Sequence, residues 1–276
     1  MNHARKRFGQ HFLEPAWIAK VIGAIGPECN QTFLEIGPGR GALTRPLASR
    51  AKQVIACEID RDLVAELQRA AIANVTIVEG DFLKVPDERL SRELTAANAD
   101  STAVRVAGNL PYNVGAPILF RLLALFAAGV PLVDATVMLQ RDVADRLTAR
   151  PGTRDYGVLS ILIGHAAAVE RLMVLPPGAF RPAPKVYSAV VRLVFHPPTP
   201  PVGSPEVFAA MVQAIFTRRR KTLANALGAF HLSRACPPAE VLLRSGLDGG
   251  RRPETLSITE FVALADAFSQ APVPPE

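Results

Sequence analysis

Apolar residues in the first half of the chain fall into short solid runs, at 32–36, 53–59, 75–78, 104–107 and 135–139. Runs of that length, bounded by glycine and polar residues, read as strands buried on both faces. Between several of them, at about 42–49, 61–71 and 116–126, apolar residues recur every three or four positions, the spacing of a helix that buries one face. A charged stretch at 141–149 reads as a further helix. So does 15–25, where Pro15 suits a first helical turn and Trp17, Ile18, Val21, Ile22 and Ile25 repeat at helical spacing up to Gly26. Strand, helix, strand at this cadence predicts crossover units and a mainly parallel sheet covered on both faces.

The rhythm then changes. Residues 167–175 and 188–195 are β-rich and joined by a proline-rich loop rather than a long helix, which predicts an antiparallel pair closing the sheet. His196-Pro197-Pro198-Thr199-Pro200-Pro201 excludes helix and interior strand alike and marks a domain boundary. Beyond it, 207–230 (with a basic band in its middle), 239–245 and 258–268 read as helices, the last after an N-cap at Ser257. The expected fold class is α/β: a mostly parallel sheet with an antiparallel closing strand in residues 1–196, which include an N-terminal arm, and a small all-helical domain in residues 197–276.

Composition narrows the class without changing this picture. The chain has 276 residues, 49% hydrophobic and 20% charged, the make-up of a folded protein. Cys29, Cys57 and Cys236 stand in no metal spacing, which argues for a reducing compartment with neither disulfides nor a metal site; Cys57, inside an apolar run, reads as a small core residue. The basic start runs into Phe8-Gly9-Gln10-His11 rather than an apolar signal core, and the longest apolar run, 122–133, is too short to cross a bilayer. A soluble, cytoplasmic, monomeric protein without a membrane partner is expected. The formal charge of +6 permits a polyanionic partner. Its clustering says more: Arg5-Lys6-Arg7, Arg218-Arg219-Arg220-Lys221 and Arg251-Arg252 are dense groups, either solvated faces or phosphate contacts.

Candidate chemistry collects at the strand ends. After the first strand comes Glu35-Ile36-Gly37-Pro38-Gly39-Arg40-Gly41, where glycine lets the backbone approach a ligand and turn into a helix. Its G-x-G-x-G spacing differs from the dinucleotide fingerprint. Glu58 ends the second strand, about 20 residues beyond the first glycines, where an acid can accept both hydroxyls of a ribose. Asp81-Phe82 follows the third strand, a carboxylate for an adenine amino group beside an aromatic cover. Each could be a cap or a turn on its own; the three in order outline a nucleoside pocket. S-adenosylmethionine, which has no phosphate, suits it better than NAD. The fourth strand hands over to a helix through Asn109-Leu110-Pro111-Tyr112-Asn113, either a tight turn or a grip on a planar, amino-bearing ring.

Taken together, Arg7-Phe8-Gly9-Gln10-His11-Phe12-Leu13, the glycine loop, Glu58, Gly80-Asp81, Asn109-Leu110-Pro111-Tyr112, Phe180-Arg181-Pro182-Ala183-Pro184-Lys185-Val186, Ser188-Ala189-Val190-Val191-Arg192-Leu193 and Phe216-Thr217-Arg218-Arg219-Arg220-Lys221-Thr222-Leu223 resemble the rRNA adenine N6-dimethyltransferase family. The last stretch, with Asn225 and Leu227, is similar to its bacterial small-subunit branch. The resemblance implies a Rossmann-like methyltransferase sheet and S-adenosylmethionine contacts from His11, Leu13, Gly37, Asp81, Glu58 and Asn109, to which the residues themselves add Gly39 and Phe82. One departure is visible: the family's arm often reads Gly-Gln-Asn-Phe-Leu, and here residue 11 is His. The resemblance further implies two adjacent adenines in the 3′-terminal hairpin loop of 16S rRNA, each methylated twice during late assembly of the small subunit.

The chemistry expected of the residues is methyl transfer to the exocyclic nitrogen of adenine. The Asn109 side-chain carbonyl and the Leu110 backbone carbonyl would accept its hydrogens, with Pro111 fixing the turn. Tyr112 would stack on the ring and Phe180 cover its other face. Arg5, Lys6, Arg7, Arg218, Arg219, Arg220 and Lys221 would contact rRNA phosphates, the last four from a helix. A large-subunit rRNA methylase, a non-catalytic rRNA-binding factor on the same fold and, more distantly, an NAD oxidoreductase are the competing readings.

Overall fold

The computed structural model describes residues 11–97, 103–231 and 237–269; Arg5, Lys6, Arg7 and Cys236 lie outside them. β1 (Phe12–Leu13) and α1 (Pro15–Ile25) open the described chain. Pro15 lies in the first turn of α1, and Gly26 ends the helix by donating its N–H to the Ile22 carbonyl. Then β2 (Thr32–Ile36), α2 (Thr44–Ala48), β3 (Gln53–Glu58), α3 (Arg61–Arg69), β4 (Val75–Glu79), α4 (Asp87–Ala97), β5 (Val104–Asn109), α5 (Gly115–Ala127), β6 (Leu132–Gln140) and α6 (Arg141–Leu147) alternate. α7 (Val158–Gly164), β7 (Ala167–Leu175), β8 (Phe180–Arg181) and β9 (Ser188–Phe195) follow, then α8 (Pro205–Phe216), α9 (Leu223–His231), α10 (Pro238–Ser245) and α11 (Ile258–Ser269).

Seven strands form one sheet in the order β4-β3-β2-β5-β6-β9-β7. The first five run parallel, and β9 is antiparallel to β6 with Gln140 opposite Ser188. The solid apolar runs belong to its middle: β2 is buried at every position and β3 from Val54 to Glu58. From β2 the chain moves outward to β3 and β4, then returns to the other side of β2 as β5. The strand order therefore reverses between β2 and β5, and a crevice opens beyond their carboxyl ends, where open α/β sheets bind ligands.

The chain divides into two compact units, residues 1–144 with 169–195 and residues 145–168 with 196–276. The expected domains, 1–196 and 197–276, differ from this by the segment 145–168 and by His196. Tyr156 and Ile161 from that segment are buried in one apolar cluster with Phe208, Met211, Ile215 and Phe261, a long-range partnership that no local pattern announces. In the first unit, Ile22, Phe33, Leu47, Val54 and Phe180 share a core. Among the described residues no helix is long and apolar enough to cross a membrane.

One expected element divides. Residues 207–230 form two helices, α8 and α9, and the basic group Arg218–Arg219–Arg220–Lys221 occupies the turn between them, not a helix. Met211, Val212 and Ile215 of α8 and Leu223, Ala226 and Leu227 of α9 bury into the same cluster, so the chain must reverse between them. Four successive cations offer that core nothing, and the reversal falls there. Ser257 does cap α11: its hydroxyl accepts the Glu260 N–H at 3.2 Å, and the Glu260 carboxylate accepts the Ser257 N–H at 2.7 Å.

Candidate active site

The ends of β2, β3, β4 and β5 deliver Gly37, Glu58, Asp81 and Asn109 to one cavity of about 350 Å³, closed on one side by His11, Phe12 and Leu13. Gly37 is left-handed, with φ at 70°, and donates its N–H to the Cys57 carbonyl at 3.0 Å, which turns the chain across the β3 end. Glu58 is 5% exposed. One of its oxygens accepts the Gly39 N–H and the other the Asp60 N–H, both at 2.9 Å, so the carboxylate ties the glycine loop to the start of α3 and keeps further lone pairs for a ligand. Burial pushes its pKa up, against the pull of those backbone N–H groups.

Asp81 shapes the next wall by accepting the Leu83 N–H at 3.0 Å. Phe82, 5% exposed, lines the cavity beside it. Arg121 holds this loop from behind, in a way the sequence did not reveal. Its guanidinium donates to the Leu83 carbonyl at 3.0 Å and to the Val85 carbonyl, pairs with Asp87 at 2.7 Å, and lies 5.4 Å from the Phe82 ring centre. Arg121 is the one charged residue in the otherwise apolar helix α5, and that isolation was the available signal.

Asn109 is the last residue of β5. Its side-chain amide donates to the His11 carbonyl at 2.7 Å. A carbonyl only accepts, so the nitrogen must face His11 and the side-chain oxygen faces away from that bond. The Leu110 N–H is held by the Met138 carbonyl at 3.1 Å, and the Pro111 carbonyl accepts the Val114 N–H at 3.1 Å, which fixes the turn. Tyr112 shares a 2.6 Å hydroxyl hydrogen bond with Ser188, and burial pushes its phenol pKa up. His11 stacks on Tyr112, ring centres 5.2 Å apart at 25°, and its Nδ1 donates to the Pro182 carbonyl at 2.6 Å.

The arm is stitched down by the pairing of β1 with β8, Phe12 opposite Arg181 and Leu13 opposite Phe180. That pairing corrects one expectation. Phe180 is 1% exposed, packs in the core with Leu13 and Ile22, and does not line the cavity. In this arrangement it supports the wall under the arm and offers no face to a ring. The other residues expected to act on a cofactor or an adenine (His11, Leu13, Gly37, Gly39, Glu58, Asp81, Phe82, Asn109, Leu110, Pro111 and Tyr112) all line the cavity.

Electrostatically the site is acidic. No lysine or arginine lines it among the described residues, whereas the carboxylates of Glu58 and Asp81 do, beside the carboxyl of Glu35. Glu35 is 1% exposed, its Oε2 has no hydrogen-bond partner, and burial, reinforced by Glu58, pushes its pKa up to about 8. It is therefore largely protonated at neutral pH. Cys57 is buried with its thiol directed at the Gly80 carbonyl, and burial pushes its pKa up to about 12, so it is no nucleophile. Among the described residues no group of three or more His, Cys, Asp or Glu is placed to hold a metal ion. A pocket of this kind disfavours a pyrophosphate and favours a cationic or neutral nucleoside.

In the basic turn, Arg219 donates to the Arg154 carbonyl at 2.9 Å and Arg218 to the Asn225 carbonyl at 3.4 Å, while Arg220 and Lys221 are exposed.

Residues 1–264 match the model of the ribosomal RNA adenine dimethylase family. The chain belongs to that family. It is 45% identical over 268 residues to the ribosomal RNA small subunit methyltransferase A of Aromatoleum aromaticum, covering 96% of this chain and 94% of the relative. It is 42% identical to the protein of the same name from Alcanivorax borkumensis, covering 96% and 90%. Among solved structures it resembles a dimethyladenosine transferase from Plasmodium falciparum, with a TM-score of 0.72 at 23% identity over 92% of this chain and 96% of that one. It also resembles the 23S rRNA methyltransferase ErmE, with a TM-score of 0.63 at 25% identity over 94% and 100%. The mostly parallel seven-stranded sheet is thus the Rossmann-like sheet of these methyltransferases.

Proposed function

We propose that this protein transfers methyl groups from S-adenosylmethionine to N6 of two adjacent adenines in the 3′-terminal hairpin loop of 16S rRNA, giving N6,N6-dimethyladenosine. It works as a monomer in the cytoplasm, on the small subunit or its precursor. The observation that carries the reading is the pose of Asn109: its nitrogen is spent on the His11 carbonyl and its oxygen is left to accept, in the lining of a cavity to which no lysine or arginine among the described residues contributes. The cofactor's fit rests on the same cavity. The Glu58 carboxylate suits a ligand that brings hydroxyls and positive charge, and the buried, unpartnered Glu35 Oε2 leaves one more polar group for it to meet.

Glu58 would hold the ribose, Asp81 and Phe82 the adenine of the cofactor, and the Gly37–Gly39 turn and the arm the remainder. When bound, S-adenosylmethionine supplies an electrophilic methyl on a sulfonium. The chain's own part is to prepare the acceptor. The exocyclic nitrogen of adenine is a poor nucleophile because its lone pair is delocalised into the ring. Asn109 Oδ1 and the Leu110 carbonyl would accept its two hydrogens and localise that pair, and neither acceptor changes charge. Positioning then supplies most of the rate.

Extruding a base costs a few kcal/mol, and stacking on Tyr112 returns about 1–3 kcal/mol. With Phe180 in the core and His11 on Tyr112, that exchange requires the His11 ring to yield its place to the target. Arg218, Arg220 and Lys221, with Arg5, Lys6 and Arg7 of the arm, would meet rRNA phosphates. Arg219 contributes less, since it is engaged with Arg154. Binding should then weaken steeply as salt rises.

The likeness to a 23S rRNA methyltransferase favours one second reading, the same chemistry on large-subunit rRNA. Mass spectrometry of both rRNAs from a strain lacking the gene separates the two. Dimethyladenosine should vanish from the small-subunit rRNA with the large-subunit rRNA unchanged; the reverse pattern would overturn the assignment.

A further inference from the structure

Tyr187 is 49% exposed, at the amino end of β9, next to Val186, itself 43% exposed. The neighbouring Ser188 hydroxyl holds the hydroxyl of Tyr112, which lines the catalytic cavity, so the backbone of Tyr187 lies one residue from that contact. Its position is fixed: the Tyr187 carbonyl accepts the Arg141 N–H at 2.9 Å, and the Arg141 guanidinium carbon lies 5.6 Å from the Tyr187 ring centre. Lys185, two residues before, is also exposed. An aromatic left half in solvent, backed on one side by a guanidinium and flanked by another cation, matches what single-stranded RNA uses: a π face for a base and positive charge for the adjoining phosphates. Nothing in the catalytic constellation requires this ring.

We propose that Tyr187, backed by Arg141, is the stacking platform for the nucleotide next to the target adenine. The inference rests on the reading of the site as an rRNA adenine methylase and adds a second base-binding position to it. A flanking base stacked there would hold the strand while its neighbour enters the cavity over Tyr112. It would contribute to binding of substrate and transition state alike, and so act on RNA affinity rather than on the chemical step.

The test uses the full-length protein and a fluorescently labelled RNA hairpin whose loop carries the two adenines, with 2-aminopurine at the flanking position in a second copy. Tyr187→Ala should weaken RNA binding about tenfold by anisotropy, abolish quenching of the flanking 2-aminopurine, and raise KM for RNA by the same factor with kcat within twofold. Its affinity for S-adenosylmethionine should match the wild type by calorimetry. Tyr187→Phe, which keeps the ring, should restore RNA binding and quenching. Wild-type methylation accompanied by unchanged RNA affinity in Tyr187→Ala would overturn the platform alone, as would failure of the Phe variant to restore it. A wild-type protein that binds neither the hairpin nor the small subunit would remove the functional reading as well.

Discussion

Gly108 gives a sharp test of how the sheet positions the chemistry. It pairs with Ile36 where β5 lies against β2. A Cβ at Gly108 would stand 2.5 Å from the Ile36 carbonyl oxygen and 3.3 Å from Leu110 Cδ2. Carbon–oxygen contacts settle at about 3.3 Å or more, so in Gly108→Ala the two strand ends must part by about 0.8 Å. Backbone meets backbone here, and no flexible side chain can absorb the shift. Overpacking of this kind costs about 1–3 kcal/mol, which lowers Tm by roughly 2–12 °C in a unit of this size. The next residue is Asn109, and a displacement near 1 Å at a positioned group costs on the order of 10²-fold in rate. Differential scanning calorimetry and single-turnover methylation of the small-subunit precursor read the two effects. Gly23→Ala is the control: the position is exposed in helix α1, with nothing within 4 Å of an added Cβ, and alanine there should stabilise slightly. A Gly108→Ala protein with wild-type Tm and rate would refute the argument that the β2–β5 contact sets the position of Asn109.

Asn109→Ala should abolish transfer with little change in cofactor Kd, whereas Glu58→Ala should weaken cofactor binding first, by roughly 10–100-fold for hydrogen bonds to a charged group; equal losses by calorimetry would contradict that division. Glu35 has a folded-state pKa raised from 4.5 to about 8, so its contribution to stability is full below about pH 4.5 and is lost as pH rises toward about 8. Glu35→Gln should remove that slope, which is at most about 1.4 kcal/mol per pH unit, and gain on the wild type from pH 5 to pH 8 in denaturant titrations; parallel pH profiles would refute it. Arg121→Met should loosen the loop that carries Asp81 and Phe82 and raise the cofactor Kd by about tenfold, with less effect on kcat at saturation; an unchanged Kd would show that the loop holds itself.

What could be read from the sequence was local. The strands at 32–36 and 53–59 are solid apolar runs because both faces are covered. The strand ends carry their polar groups within three residues of where the run stops, so Gly37, Glu58, Asp81 and Asn109 could be placed by counting. The helix starting at Pro15 announced both its ends. What could not be read depended on distant partners. Phe180 sits in a proline-rich stretch that suggests exposure, yet its pairing with Leu13 turns it into the core. Residues 207–230 keep helical spacing across the basic band, and only the shared core of α8 and α9 forces the chain to reverse there. Residues 145–168 join the second unit through Tyr156 and Ile161, whose partners lie beyond residue 200. Helix α4 has few apolar residues to mark it, and α7 is a single short segment of 7 residues.

The same distinction explains how the chain accommodates histidine at residue 11. The link between the arm and Asn109 runs through the His11 carbonyl, which any residue supplies, so the side chain is released from that contact. The imidazole has gone instead to the Tyr112 ring and the Pro182 carbonyl. That link also bears on residue 109 itself. An aspartate there would set a carboxylate oxygen against the His11 carbonyl, two acceptors facing each other without a proton, and the side chain would rotate away from its place in the cavity. The amide is thus the group that can bond to the arm with one end and accept from a substrate with the other. The arm's backbone sets the orientation of Asn109 as much as β5 sets its position, and the pairing of Phe12 and Leu13 with β8 is what holds that backbone still.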